Sequence, residues 1–415
     1  MRWVLERMNR MVVRRALGLL GPDRASALQS LGALSLAVVA AVVAGATLAS
    51  ADETIEELPG LILLVPASLA ARGNVFGAFG SRLGTAIHTG TFHWSRRVDT
   101  VLGQNVVASV VLGVSLSFFL AVVAAVAVTV LGLSEALGLS DLIVISVVGG
   151  TLASVAVLLV SLALTAVAPR AGWDLDNVIA PIVTAAGDLL TIPFLLLATV
   201  LVQRGQATLV AAMALTVLSA VGLLWSIRSG LTLLSNIVRE SMPMLIVAGI
   251  LSLLAGVILE SRSSEVLGVG AVLIILPGYL GASGALGGIL SSRLSTKLVL
   301  GLFSPARFPP PAARADATAI LGLAVPVFVL NGFMAHLTAA LTGASTPGLA
   351  RMILATLIGG VLATLVVVLV AYYATLAAVR LGVDPDNVAI PLVTATLDVF
   401  GVLTLLLALN VTGVV

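Results

Sequence analysis

The chain has 415 residues, 60% of them hydrophobic and 10% charged, with a mean hydropathy of +1.19. Those values exclude a soluble globular protein and describe a polytopic membrane protein whose first partner is lipid. Cysteine is absent, which excludes disulfides and thiolate metal sites, and a net charge of +2 gives no reason to expect a nucleic-acid partner.

In chain order, about thirty residues carrying Arg2, Arg7, Arg10, Arg14, Arg15 and Arg24 precede the first apolar stretch. This segment is too long and too basic for a cleaved signal. It reads as a retained cytoplasmic segment that either lies on anionic lipid or serves only to set orientation. With about 20 apolar residues needed per crossing, the sequence predicts eleven spans, at 31–51, 58–80, 104–133, 142–169, 178–203, 207–227, 242–260, 266–290, 317–343, 351–380 and 387–412. Only Gln203 to Gln206 separates the fifth from the sixth, which predicts a tight hairpin. Placing the N-terminus in the cytoplasm puts seventeen Lys and Arg in cytoplasmic segments and three, Arg204, Arg262 and Arg351, outside, with Arg72 left within a span. The C-terminus then lies outside, and so does an acidic cluster in the first hairpin, Asp52, Glu53, Glu56 and Glu57. A multi-pass protein of the plasma membrane is expected.

The chain repeats itself. Residues 174–188, DLDNVIAPIVTAAGD, return as DPDNVAIPLVTATLD at 384–398, and 61–85 align without gaps to 272–296 at an offset of 211. Pro66 falls on Pro277, Gly73 on Gly284, and Ser81-Arg82-Leu83 on Ser292-Arg293-Leu294. Two five-helix repeats follow, in which 31–203 and 242–415 are membrane domains, 1–30 is the basic segment and 204–241 is a linker with one span. Because five is odd, the linker span restores the orientation, so the repeats are parallel and related by a pseudo-twofold axis along the membrane normal. The fold class is all-α, an internal dimer in one chain, expected to act as a monomer.

In the fifth span of each repeat, Asn177, Pro181, Thr184 and Asp188 stand at i, i+4, i+7 and i+11, and Asn387, Pro391, Thr394 and Asp398 repeat the spacing. At 3.6 residues per turn each set shares one helix face. Proline frees the carbonyl four residues before it, so each face offers a carboxylate, a hydroxyl, an amide and a loosened carbonyl. Asp188 lies roughly 16 Å along its span, near the bilayer middle. A charge there costs a few kcal/mol or more unless it meets water, protein or a cation. A hard divalent cation fits an all-oxygen set with one aspartate per repeat, and hydrated magnesium fits better than calcium or zinc.

Other readings stand beside this one. Each aspartate could pair with an arginine or cap a broken helix, although the buried Arg72 has no twin, since Ser283 occupies its place. An intramembrane aspartyl protease also needs two aspartates, and Ala185-Ala186-Gly187-Asp188 loosely matches its Gly-x-Gly-Asp signature. Pro66 and Pro277, each followed by glycines, predict kinked or broken second spans that approach a partner closely. Asp174, Asp176, Asp384 and Asp386 sit at the cytoplasmic mouth, as N-caps, as an attraction for cations, or as both. His88, His93 and His336 have no ligand spacing with acids and are assigned loop or packing roles. No phosphate-binding loop or nucleophile elbow is present, so no enzyme is expected.

The stretch PASLAARGNVFGAFGSRLGTAIHTG and the twice-used D-x-D-N-V-x-x-P-x-V-T-x-x-x-D resemble the membrane domain of the MgtE family. The duplicated arrangement is similar to the fused form in solute carrier family 41. The resemblance implies a magnesium channel or transporter whose pore is lined by the second and fifth spans. It implies pore aspartates at Asp188 and Asp398, with polar neighbours Asn177, Thr184, Asn387 and Thr394 and one hydrated ion between the aspartates. Sodium-coupled exchange and transport of another divalent cation remain alternatives. Bacterial members carry a large cytosolic sensor where this sequence has a basic segment of about thirty residues, so their gating does not carry over, and the second repeat reads ASGALGG where the first reads ARGNVFG.

Overall fold

The computed structural model describes residues 24–49, 58, 61–130, 137–202, 205–260 and 270–414, and every regular element among them is helical. The basic segment before residue 24 and the acids Asp52, Glu53, Glu56 and Glu57 lie outside the described residues. Eleven helices follow the expected spans: α1 (Arg24–Ala49), α2 (Leu61–His88), α3 (Val101–Val130), α4 (Leu139–Val167), α5 (Leu175–Thr199), α6 (Gln206–Arg228), α7 (Thr232–Glu260), α8 (Gly270–Val299), α9 (Pro311–Thr342), α10 (Leu349–Leu381) and α11 (Pro385–Val411). Ten are long and apolar enough to cross a membrane, and α2 completes the set.

Several boundaries differ from expectation for a shared reason. The predicted spans stop where charged residues begin, yet α2 continues through Arg82 to His88, α8 through Arg293 to Val299, and α7 starts before Arg239 and Glu240. Arg82 and Arg293 are therefore helix residues whose guanidiniums find partners inside the bundle, not loop residues. Pro277 does not break α8, nor Pro181 and Pro391 their helices. Of the kinked or broken second span expected in the second repeat, the broken form is excluded, because the helix runs on through Pro277. Proline costs one ladder bond, and neighbouring helices in a bundle make that loss tolerable.

The repeats interlock. The first helix of each packs on the fifth helix of its own repeat, α1 on α5 and α7 on α11, but also on the second and third helices of the other repeat, α1 on α8 and α9, and α7 on α2 and α3. At the centre α2 meets α8, and equivalent residues touch: Ser81 Oγ is 2.7 Å from Ser292 Oγ and Thr85 Oγ1 is 3.4 Å from Thr296 Oγ1, each pair 211 residues apart. Equivalent residues can touch only on the axis that relates them. The linker helix α6 buries little beyond Thr208, Ala212, Ser219 and Ser226, and shows Leu209, Val217, Leu218 and Trp225 on its outside, the inverted pattern of a lipid-facing helix.

Because lipid is as apolar as leucine, helix association in a bilayer relies on close packing. A Cβ added to Gly80 of α2 would stand 1.9 Å from Ile179 of α5, and one on Gly360 of α10 would stand 2.2 Å from the Phe328 ring of α9. In α4 a π-helical turn at Ile145–Gly149 precedes Gly150, where a Cβ would fall 2.0 Å from Arg72 Nη2 and 2.4 Å from Ser117 Oγ. Glycine and the local register shift make the slot that receives the buried Arg72 side chain. Gly150→Ala is accordingly expected to cost about 1–3 kcal/mol, as overpacked sites do, and to lower the thermal midpoint in detergent. Gly222→Ala on α6, with nothing within 4 Å of its added Cβ, should not. Equal midpoints for the two variants would refute the slot.

Candidate cation pathway

At one end of the bundle α5 and α11 begin where α2 and α8 finish. Asp174 and Asp384 are N-caps, accepting from the backbone N–H of Asp176 at 3.1 Å and Asp386 at 3.0 Å. One member of each acid pair thus caps its helix. The other members, Asp176 and Asp386, are buried, and each is taken by a hydroxyl of the opposite repeat. Ser292 of α8 donates to Asp176 Oδ1 at 2.8 Å, and Ser81 of α2 donates to Asp386 Oδ1 at 3.0 Å, with Thr85 reaching Asp386 Oδ2 at 3.2 Å. The adjacent arginines cross in the same sense: Arg293 donates from Nε to Asn177 Oδ1 at 2.8 Å, and Arg82 from Nη1 to Asn387 Oδ1 at 2.8 Å. These crossed bonds, with the two hydroxyl pairs on the axis, close the α2–α8 seam at this end.

The two mouths are not alike. Gln29 Oε1 accepts from the Asp174 N–H at 3.1 Å, whereas its counterpart Glu240 accepts from the Asp384 N–H at 3.1 Å and from Asn387 Nδ2 at 2.8 Å. Burial raises the Asp174 carboxyl, but the His88 hydrogen bond, the Asp176 N–H and the Arg293 charge together hold it below the ordinary carboxylate range. Burial raises Asp384 as well, and there Glu240 reinforces the effect, leaving it above that range. His88, assigned above to a loop or packing role, ends α2 with Nε2 3.5 Å from Asp174 Oδ1, and with Asp174 and Asp176 it forms the one compact His/Asp cluster among the described residues. That assignment is corrected. Sequence spacing cannot show a contact between residues 86 positions apart.

Deeper along the same faces lie Thr184 and Asp188 of α5 and Thr394 and Asp398 of α11. Thr184 and Asp188 face glycine: a Cβ on Gly73 of α2 would be 3.6 Å from Thr184 Oγ1, and one on Gly281 of α8 would be 3.4 Å from Asp188 Oδ2. Asp188 is buried and has neither a hydrogen-bond donor nor a charged neighbour among the described residues. Asp398 accepts from the Ser252 hydroxyl of α7, and Thr394 donates to Asn74 Oδ1 of α2. No contact joins Asp188 to Asp398. Arg72 neutralises neither, since its Nη1 donates to Ser68 O at 3.0 Å and its Nη2 to Ser117 Oγ at 2.8 Å. The seam therefore gathers the acid pairs, Asn177 and Asn387 around a closed end, with both amide oxygens occupied by arginine. The deeper threonines and aspartates stand on either side of glycine-rich α2 and α8.

Sequence reasoning gave no role to Ser81, Arg82, Ser292 and Arg293, although their Ser-Arg-Leu repeat was a usable signal. It also missed Asn74, which stands in the ARGNVFG stretch where the repeats differ, and Ser252, whose counterpart is Ala41.

A family model for MgtE, described as a divalent cation transporter, matches residues 65–198 and 276–408, once per repeat. Solute carrier family 41 member 2 of Homo sapiens, and the protein of the same name in Macaca fascicularis, are each 27% identical over 387 residues, covering 86% of this chain. The chain spans 65% of the length of those relatives. A crystal structure of a MATE point mutant covers 96% of this chain and 98% of its own at 12% identity, with a TM-score of 0.29 that carries no argument. With a matching segment in each repeat and more than half of its length accounted for, the chain belongs to the MgtE family of divalent cation transporters.

Proposed function

We propose that this protein carries magnesium across the plasma membrane, with a hydrated ion held between Asp188 and Asp398 where the repeats meet. The observation that carries the reading is Asp188: a carboxylate deep in an apolar bundle that no side chain neutralises, facing glycine backbone on the seam. Thr184 and Thr394 supply hydroxyls on the same faces. A hydrated divalent ion suits such a site, because it retains its waters and asks for one or two carboxylates and neutral oxygens. The N-terminus is cytoplasmic, so the closed seam lies at the cytoplasmic end, with Asp174, Asp176, Asp384 and Asp386 at its mouth. Asn177 and Asn387 join the pathway when Arg293 and Arg82 release them. A single chain holds both repeats and functions as a monomer.

Passage through the closed end requires the bonds from Ser81 and Ser292 to break, because they tie the carboxylates of each repeat to the opposite one. A hydrogen bond to a charged group contributes about 1.5–3 kcal/mol net, roughly tenfold or more in an equilibrium. Removing both hydroxyls in Ser81→Ala/Ser292→Ala is therefore expected to raise the magnesium leak of proteoliposomes about tenfold or more; a leak at the wild-type level would show that the seam is not the barrier.

The main test is magnesium flux into proteoliposomes holding wild type, Asp188→Asn or Asp398→Asn, with and without a sodium gradient. A divalent ion ~4.5 Å from one carboxylate gains about 2 kcal/mol even at the screening of bulk water. Each substitution should therefore lower flux by more than about tenfold while leaving the fold intact by gel filtration. Wild-type flux in both variants would sink the shared site, and a response to sodium would identify coupled exchange in place of a passive pathway.

A further inference from the structure

The two deep aspartates differ in one respect that the repeat makes measurable. At an offset of 211 the counterparts of Ser252 and Asn74 are Ala41 and Ala285. The second-repeat pair is therefore held by protein, Asp398 by Ser252 of α7 and Thr394 by Asn74 of α2. The first-repeat pair faces glycine and has no hydrogen-bond partner among the described residues. Two separate positions on two separate helices have become polar, and both act on the same half of the site.

Each of these bonds has an alternative already in place. The Ser252 hydroxyl is 3.0 Å from Ala248 O as well as within reach of Asp398. It carries a single hydrogen, so it can donate to the aspartate or to its own helix. The Thr394 hydroxyl has the same choice between Asn74 Oδ1 and the carbonyls of Ile390 at 3.0 Å and Pro391 at 3.1 Å. A hydroxyl that turns back onto its own helix leaves no buried donor unsatisfied. Turning away also presents oxygen in place of hydrogen, since Ser252 Oγ and Asn74 Oδ1 then offer free lone pairs on the side where the carboxylate stands. Such acceptors suit the waters of a hydrated divalent cation.

We propose that Ser252 and Asn74 form a releasable latch on Asp398 and Thr394, so that the cation binds first to Asp188 and Thr184 and engages the second repeat only when both hydroxyls turn back. The latch rests on the reading that Asp188 and Asp398 share the transported ion. It makes Ser252 and Asn74 positioning residues, and it predicts that they set apparent affinity more than maximal rate.

The test is the magnesium concentration giving half-maximal flux in proteoliposomes of the full chain. Ser252→Ala, which deletes the competing donor, should lower that concentration about threefold or more, within what a hydrogen bond to a charged group is worth. Ser252→Thr keeps the hydroxyl and should restore the wild-type value, which guards against a folding artefact. Ala41→Ser, which places a donor at the position that the repeat sets beside Asp188, should raise the concentration. An unchanged or higher half-maximal concentration in Ser252→Ala, with flux still abolished by Asp188→Asn and Asp398→Asn, overturns the latch and leaves the shared site standing. Wild-type flux in both aspartate variants overturns the shared site itself, and the latch with it.

Discussion

A carboxylate in a helix bundle surrounded by lipid must be compensated, and Asp188 is not compensated by any side chain described in this protein. The buried Arg72 does not do so, because its guanidinium bonds Ser68 O and Ser117 Oγ in a slot made by the π-turn and Gly150. The helix faces beside Thr184 and Asp188 are bare, with glycine at positions 73 and 281. Under the proposed function, a transported cation recovers the cost of that buried charge.

The seam itself is a consequence of symmetry. Two helices related by a twofold axis present identical residues to each other, and like residues meet there without penalty only when they are small and uncharged. Hydroxyls satisfy that condition, whereas paired acids or paired arginines repel. Serine and threonine accordingly occupy the axis at 81/292 and 85/296, while the charged residues stand one step away and bond across it, each arginine to the asparagine of the other repeat. Closing the end therefore ties α5 to α8 and α11 to α2 at once. The packing of α1 and α7 on both repeats adds further contacts between the halves.

The sequence made the helices and the faces readable and left the partners unread. Hydropathy located eleven spans, and the spacing of Asn177, Thr184 and Asp188 put them on one face, because both inferences depend on local periodicity. Helix ends were misjudged at Arg82, Arg293 and Arg239, because a charge inside a helix is penalised by any hydropathy ruler, while the bundle supplies the missing partners. Which repeat α1 packs against was invisible, since alignment shows that two segments are related but not where they dock. Asn177 and Asn387 read as open oxygens, and the crossed arginines that occupy them come from residues more than a hundred positions away. His88 illustrates the same limit from the other side, as a residue without a local partner that acquires one when α2 ends beside the start of α5.

Fusing two copies in one chain removes the constraint that both halves of the site be the same. In a dimer of identical subunits, a serine beside one aspartate is a serine beside both. Here Ala41 and Ser252, Ala285 and Asn74, Gln29 and Glu240, and Val299 and His88 are equivalent positions with different chemistry, and all of them lie along the face that would carry the ion or at its mouth. An ion between two equal carboxylates has no preferred order of engagement. On the proposed latch, an ion would meet the free carboxylate first and the bonded one second, and the two states would differ by about a single hydrogen bond to a charged group.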